Sequence, residues 1–385
     1  MKIGLICPYS LTKGGGVQEV VKELSLEMTR LGHEVAIITP QPKEPYVDKR
    51  FRVIFLGSLA DFKSPTATTV QVSASVLTDD IDAVLEREQF DVLHFHEPWI
   101  PVLSRQILAR SNTVNVATFH AKLPETMASR AMAKIVTPYT KPLLKYIDTI
   151  TAVSPAAAEY VGTLTDDEIV IVPNGINLRD FRVKHEVKPK DSKKTVLYVG
   201  RLEKRKGVKY LLLAHKELLR KMPDVQLLLA GDGVDRLKLE RMVEELEINN
   251  VEFLGFVSDK EKKRLLASAD LFCSPALFGE SFGIVLLESM ASGLVTVAGN
   301  NPGYESVMSG LGQLSLVNPR DTSEFADRLH LLLTDQGLRA LWQKWAKKHV
   351  AQFDYNTVAR QYLSVYESAC AKPTNEIRAK RQNRL

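Results

Sequence analysis

The first forty residues constrain the fold most. Lys2 to Cys7 is a short apolar run, the loop PYSLTKGGGVQ follows, and an amphipathic stretch continues to about Leu31. Leu-Gly-His-Glu ends that stretch, and a second apolar run spans Val35 to Thr39. Strand, glycine-rich loop, helix and strand in that order make a βαβ unit, which demands parallel pairing and a right-handed crossover. Further strands are expected at Arg52 to Leu56, Asp91 to His96, Asn115 to Phe119, Thr149 to Val153 and Ile169 to Val172. Helical stretches separate most of them, so residues 1–181 are predicted to form one doubly wound, Rossmann-like α/β domain.

The pattern then begins again. Residues 182–194 are polar, charged and proline-containing, as an interdomain linker is. Strands are expected from Thr195, at Gln226 to Ala230, Val251 to Leu254, Leu271 to Ser274 and Val295 to Ala298, with helices between them. Residues 195–354 therefore read as a second α/β domain of the same type, and 385 residues suffice for two cores. In the last helical stretch Val358, Tyr362, Val365 and Tyr366 form an apolar stripe, and residues 371–385 make a basic tail.

Composition narrows the function classes. No run approaches the ~18 uninterrupted apolar residues of a membrane span, and MKIGLICPYS is too short in its apolar part for a signal peptide. Cys7, Cys273 and Cys370 are scattered in apolar contexts, which predicts buried thiols in a reducing, cytoplasmic compartment. The net charge of +5 is concentrated in the linker and the tail. Lys122 to Lys145 holds five basic residues against the single acid Glu125. That stretch is either a solvated face or a contact with an anionic membrane surface, and Pro138 and Pro142 argue against one long helix. Nothing interleaves aromatic and basic residues as a nucleic-acid surface would.

Phe278 to Glu288, FGESFGIVLLE, follows the strand-like LFCSP. Ser281, Phe282 and Gly283 read as the opening of a helix, whose free N–H groups and dipole suit a phosphate. Glu280 stands just ahead of the first turn, and Glu288 about two turns on, on roughly the same face. The stretch is either a nucleotide-sugar clamp or an ordinary helix with acids toward its N-terminus. Arg201 and Lys206 follow the strand that begins at Thr195, and Gly207 opens the next helix; they are diphosphate partners or a charged turn. Gly14, Gly15 and Gly16 permit close approach of a ligand or simply a tight turn. They match neither G-x-G-x-x-G nor a Walker loop, which argues against a dinucleotide-dependent dehydrogenase and a P-loop NTPase.

In doubly wound sheets ligands bind beyond the carboxyl ends of strands. The polar residues there are His96, Glu97, His120, Ser154, Asn174 and Gly175, and of these His120 is the best placed for function. His94 and His96 share a strand face but lack a third ligand at clear spacing, so hydrogen-bonded structural roles are expected, with no metal.

The segments IGLICPYS…GGVQ, FDVLHFHEP, VATFH, VPNGIN, GRLEKRKG and SPALFGESFGIVLLESMASG span nearly the whole chain. Together they resemble the family 4 retaining glycosyltransferases, and the N-terminal ones are most similar to the phosphatidylinositol mannosyltransferases. The resemblance implies the GT-B fold, two Rossmann-like domains facing a cleft, with a final helix at about 355–370 returning to the N-terminal domain. It implies a nucleotide-sugar donor, GDP-mannose, with no further cofactor, and a membrane-lipid acceptor such as phosphatidylinositol met at the inner face of the plasma membrane. Residue by residue, Gly15 and Gly16 would lie against the donor phosphates, and Arg201 and Lys206 would neutralise the diphosphate. Glu280 would bind the transferred sugar, Glu288 the ribose, and the amides of Phe282, Gly283 and Ile284 would face the donor. His120 would stand near the reaction centre. Two departures bear on the acceptor. Thr12 and Lys13 occupy the position where these enzymes tend to carry an acid, and Ser64 to Asp82 lacks their basic residues. They leave the donor site as it stands and leave room for a different glycolipid or polysaccharide acceptor; the alternative within the family pairs such an acceptor with another nucleotide sugar, a UDP-sugar. The non-enzyme alternative is a nucleotide-sugar-binding scaffold.

Overall fold

The computed structural model describes residues 1–12, 14–63, 69–75, 77–100, 102–122, 136–181 and 193–372. The expected linker, apart from its last two residues, lies outside these. So do Lys13, most of the tail, and residues 123–135 of the basic stretch. The chain forms two compact units. One is Met1–Gly175 together with the segment from Tyr355, and the other is Ile176–Asp354.

The first unit holds β1 (Lys2–Ile6), β2 (Glu34–Thr39), β3 (Val53–Phe55), β4 (Ser58–Lys63), β5 (Thr69–Ser75), β6 (Val92–His96), β7 (Val114–Phe119), β8 (Thr149–Ala152) and β9 (Ile169–Ile171). Seven of these form one parallel sheet in the order β3-β2-β1-β6-β7-β8-β9, while β4 and β5 make a separate antiparallel hairpin that the sequence pattern does not announce. Strands buried on both faces are largely apolar, as β1 is after Lys2, and β6 is buried throughout although it carries His94 and His96. The helix Gly16–Arg30 covers the sheet with Val20, Val21, Leu24 and Met28, an i, i+3/i+4 stripe that is buried throughout. Strand order reverses between β1 and β6, so the loops leaving these two strands open a crevice, where such folds bind ligands.

The C-terminal helix Tyr355–Cys370 belongs to this unit. Val358, Tyr362 and Tyr366 of the expected stripe are buried, joined by Ala359, Leu363 and Ala369. Polar contacts fix its register. The Tyr366 hydroxyl bonds His94 Nδ1 at 2.7 Å, Tyr362 reaches Thr118 Oγ1 at 3.2 Å, and Asn356 donates to Glu27 at 2.7 Å. Cys370, expected to be buried, is exposed near the helix end; Cys7 and Cys273 are buried.

The second unit has β10 (Thr195–Val199), β11 (Gln226–Ala230), β12 (Val251–Gly255), β13 (Leu271–Ser274), β14 (Val295–Gly299) and β15 (Leu316–Val317). They form a parallel sheet in the order β12-β11-β10-β13-β14-β15, which reverses between β10 and β13. This unit begins at Ile176, earlier than the expected end of the first domain at residue 181. Local pairing accounts for the difference. Ile176 donates its N–H to Phe353 O at 2.8 Å, Asp180 pairs with Lys263 at 2.9 Å, and the same ammonium lies over the Phe181 ring. Among the described residues no helix is long and apolar enough to cross a membrane.

Candidate active site

The reversal in the second sheet brings together the two loops that carry its chemistry. After β10 the chain turns through Arg201 and Glu203 into the short 3-10 helix Lys204–Lys206, and Gly207 leads into the helix Val208–Leu219. Gly207 has φ +71°, and a Cβ there would strike the carbonyl of Pro275, so only glycine lets the loop lie this close to the end of β13. After β13 come Glu280 and Gly283, then the helix Ile284–Ala291.

Five charged side chains meet here. Glu280 Oε1 takes Arg205 Nη1 at 2.5 Å and Lys206 Nζ at 2.8 Å. Glu203 Oε1 faces Arg205 Nη2 at 2.9 Å and Arg201 Nη2 at 3.2 Å. Three cations against two carboxylates leave the cluster one charge positive. Burial works against the Arg205 guanidinium, but Glu280 and Glu203 outweigh it and hold its pKa above the ordinary value. The buried Tyr198 hydroxyl donates to Arg201 O at 2.8 Å, and burial, then the Glu280 and Glu203 charges, raise its pKa. Arg201 is the most open member, its side chain about half exposed (49%).

Gly283 caps the helix Ile284–Ala291 at φ +107°, with the Tyr304 ring where a Cβ would stand. Tyr304 is itself anchored by a hydrogen bond with Ser274 at 2.8 Å. Beyond this left-handed residue the first helical N–H groups have no partner within the helix and carry its positive dipole end. Phe282 is buried and packs edge-on against Phe353 at 5.8 Å. Glu288 is largely buried; burial raises its carboxyl pKa, and the Lys262 ammonium at 2.6 Å pulls it back.

In the first unit the switch-point crevice is lined from β1, β6 and β7. Gly15 precedes the helix Gly16–Arg30, and a Cβ there would run into the Gln18 side chain. A Cβ at Gly16 would meet no described atom within 4 Å beyond its chain neighbours and its own helix backbone. His120, directly after β7, is buried, with Nε2 at 2.9 Å from His96 Nδ1 and the two rings stacked at 5.2 Å. His94 is tied to Thr118 at 2.6 Å and to Tyr366. Burial depresses all three imidazoles, His94 to about 3 and His120 to about 4, and His96 is pushed well below its usual value. Among the described residues no three His, Cys, Asp or Glu side chains are grouped to hold a metal ion.

This arrangement suits a phosphorylated group, and comparison with known proteins shows the family. Residues 14–180 match the model for "Glycosyltransferase Family 4", and residues 180–349 that for "Glycosyl transferases group 1". The phosphatidyl-myo-inositol mannosyltransferase of Mycolicibacterium smegmatis is 33% identical over 380 residues, covering 96% of this chain and 94% of that protein. The chain belongs to the family 4 glycosyltransferases. Sucrose-phosphate synthase from Thermosynechococcus elongatus superposes with a TM-score of 0.76 over 97% of this chain and 100% of its own, at 21% identity. HepE of Anabaena, solved with UDP and glucose, gives 0.72 over 96% and 100%, at 18% identity. These likenesses show the fold, which is GT-B, and the family membership makes the protein a hexosyl-transferring enzyme.

Within this glycosyltransferase the expected residues fall into three groups. Arg201, Lys206, Glu280 and Gly283 stand together at the second sheet's reversal. Glu288 sits on the same loop and helix but in a separate ion pair with Lys262. His120, Gly15 and Gly16 lie in the first unit. Two expectations change. The helix starts at Ile284, so Ser281 and Phe282 precede it, and Glu280 and Glu288 do not share a helix face. Lys122, read as part of a solvated or membrane-facing stretch, is buried and paired with Glu159 at 3.2 Å. Sequence reasoning missed Arg205, which binds Glu280 more closely than Lys206 does, and Lys262. In a run such as RLEKRK every cation looks alike, and only folding shows which one turns inward.

Proposed function

We propose that the protein is a retaining glycosyltransferase that moves mannose from GDP-mannose to a membrane-lipid acceptor such as phosphatidylinositol. The observation that carries the donor half of this reading is the net-positive cluster of Arg201, Arg205 and Lys206 around Glu280, beside the N-terminus of the helix Ile284–Ala291. Breaking the anomeric C–O bond leaves negative charge on the departing diphosphate and positive charge on the sugar. Arg201, Lys206 and the amides of Phe282, Gly283 and Ile284 stabilise the first as fixed, preorganised charge. Glu280 holds sugar hydroxyls, Glu288 the ribose, and Gly15 and Gly16 give the phosphates room on the first unit. His120, neutral because it is buried, hydrogen-bonds near the sugar. With no carboxylate assigned as nucleophile, transfer proceeds on the front face, the leaving phosphate taking the acceptor proton. Two cations stand where other transferases use a metal. The phosphatidylinositol acceptor and the mannosyl group follow the name of the 33% identical relative.

Thr12 and Lys13 favour a second reading of the acceptor, in which another glycolipid or a polysaccharide replaces phosphatidylinositol; the family alternative pairs it with a UDP-sugar donor. A panel of nucleotide sugars against purified protein, with product identified by mass on phosphatidylinositol vesicles, tests both. GDP-mannose with mannosylated phosphatidylinositol supports the first reading. Turnover with UDP-sugars alone replaces it.

A further inference from the structure

Glu97 stands outside every role assigned so far, and its surroundings are unusual for an acid. It follows β6 at the switch point, its relative exposure is 2%, and its backbone is left-handed at φ +51°. A residue with a Cβ persists there only where its surroundings dictate it. They do so here, because its N–H donates to Thr118 O at 2.9 Å and its carbonyl accepts from Ile100 at 3.1 Å. Among the described residues no cation pairs with the carboxylate. What holds it instead is a set of N–H donors. Oε1 accepts the backbone N–H of His120 at 2.9 Å, the backbone N–H of Ala121 also points to the carboxylate, and the Trp99 indole N–H donates to Oε2.

We propose that Glu97 is a positioning residue for the transfer reaction: by accepting the consecutive backbone N–H groups of His120 and Ala121, it sets where the His120 imidazole stands. The carboxylate suits this task. It is acceptor-only when ionised and receives three N–H groups on two oxygens, whereas a glutamine has a single oxygen and would turn its NH2 toward at least one of them. The same turn aligns His120 Nε2 with His96 Nδ1 and stacks the two rings. A displaced turn moves the imidazole and leaves its chemistry intact. The inference rests on the reading that places His120 beside the reaction centre.

The test compares Glu97→Gln, His120→Ala and the double variant, with GDP-mannose as donor and phosphatidylinositol vesicles as acceptor. Hydrogen exchange at the amides of residues 120 and 121 is followed in parallel. Misplacing a reacting group by about an ångström costs on the order of 10²-fold, so E97Q is expected to lower kcat by roughly ten- to a hundredfold, leave the donor KM within about twofold, and speed exchange at both amides. The double variant is expected to be no slower than H120A alone, because both changes act through one group. An additive loss in the double variant, or a kcat of E97Q equal to wild type while H120A is impaired, overturns the proposal and spares the reading of His120. A fully active H120A, or no turnover by the wild-type protein, overturns that reading and the proposal with it. Should E97Q fail to fold, Glu97→Asp keeps the charge and shortens the reach. A loss in kcat without change in KM supports the proposal, and wild-type kcat overturns it.

Discussion

Glu280 shows how much one side chain can organise. A single oxygen holds Arg205 and Lys206, so its removal takes the carboxylate from Lys206 and leaves Arg205 with Glu203. Glu280→Ala and Lys206→Ala are each expected to lower transfer by about 10²–10³-fold, the range seen when a preorganised electrostatic group is lost, while circular dichroism still reports a folded chain. Full activity in either variant removes these residues from the site. Arg205→Ala is expected to cost stability as well as rate, because Glu280 and Glu203 both lean on it. The buried imidazoles predict a pH dependence whose sign follows from proton counts. His94, His96 and His120 are depressed in the folded chain, to about 3 for His94 and about 4 for His120, while the unfolded chain takes up protons near 6.5. Their contribution is complete above 6.5 and is lost as pH falls through that window. Glu97 acts in the opposite sense. Burial raises it from 4.5 to about 7, so its contribution declines as pH rises across that interval. His215, depressed by burial to about 4, and His349 and His33, also depressed, act with the three imidazoles, while Glu288, raised by burial, acts with Glu97. The histidines outnumber the two acids, and the urea midpoint of wild type is expected to be lower at pH 5 than at pH 7. Glu97→Gln removes one of the two opposing groups, so its midpoint relative to wild type is expected to rise between pH 5 and 7; a parallel or falling trend contradicts the ionisation assigned to Glu97.

At the scale of elements, the C-terminal helix is the one whose place depends on contacts distant in sequence. Tyr366 and Tyr362 enter a buried chain of hydroxyls and imidazole that runs through His94, Thr118 and Thr151. Tyr366→Phe keeps the ring and strands His94 Nδ1, so a loss of about 1–3 kcal/mol is expected from chemical denaturation, the cost of one buried polar group left unpaired. A change below the error of that measurement means the hydroxyl has an alternative donor or acceptor. The helix Ile284–Ala291 depends instead on local geometry. Gly283 combines φ +107° with the Tyr304 ring at its Cβ position, and Gly283→Ala is expected to weaken donor binding along with stability. The expected stability loss is about 1–3 kcal/mol, the range for a residue held in a sparsely populated conformation.

At the scale of the molecule, the proposed reading draws its donor groups mainly from the second unit and adds Gly15, Gly16 and His120 from the first. GDP-mannose is expected to raise the melting temperature, since a ligand bound only by folded protein stabilises it, and that rise is expected to vanish in Glu280→Ala. The membrane reading draws on the basic residues of Lys122 to Lys145 and the tail, most of which lie outside the described residues; Lys122 itself is occupied by Glu159. Co-sedimentation with vesicles, with and without anionic lipid, is expected to show binding that depends on the anionic component. Equal recovery with both removes the membrane reading.

The strands and helices were legible because their signals are local. Apolar runs of four to six residues, glycine-rich exits and stripes at helical spacing depend only on neighbours along the chain, and β1, β6, β7 and β10 fall within a residue of where the pattern puts them. The motif residues at strand ends were legible for the same reason, since a parallel sheet sends ligands to its carboxyl edge. Pairing was not legible. That Glu280 would take Arg205, that Glu288 would take Lys262 instead of sharing a helix face with Glu280, and that Glu97 would clamp the turn of His120 all depend on strand order. Strand order is decided by burial of whole faces across long sequence separations, and no single stretch of residues encodes it.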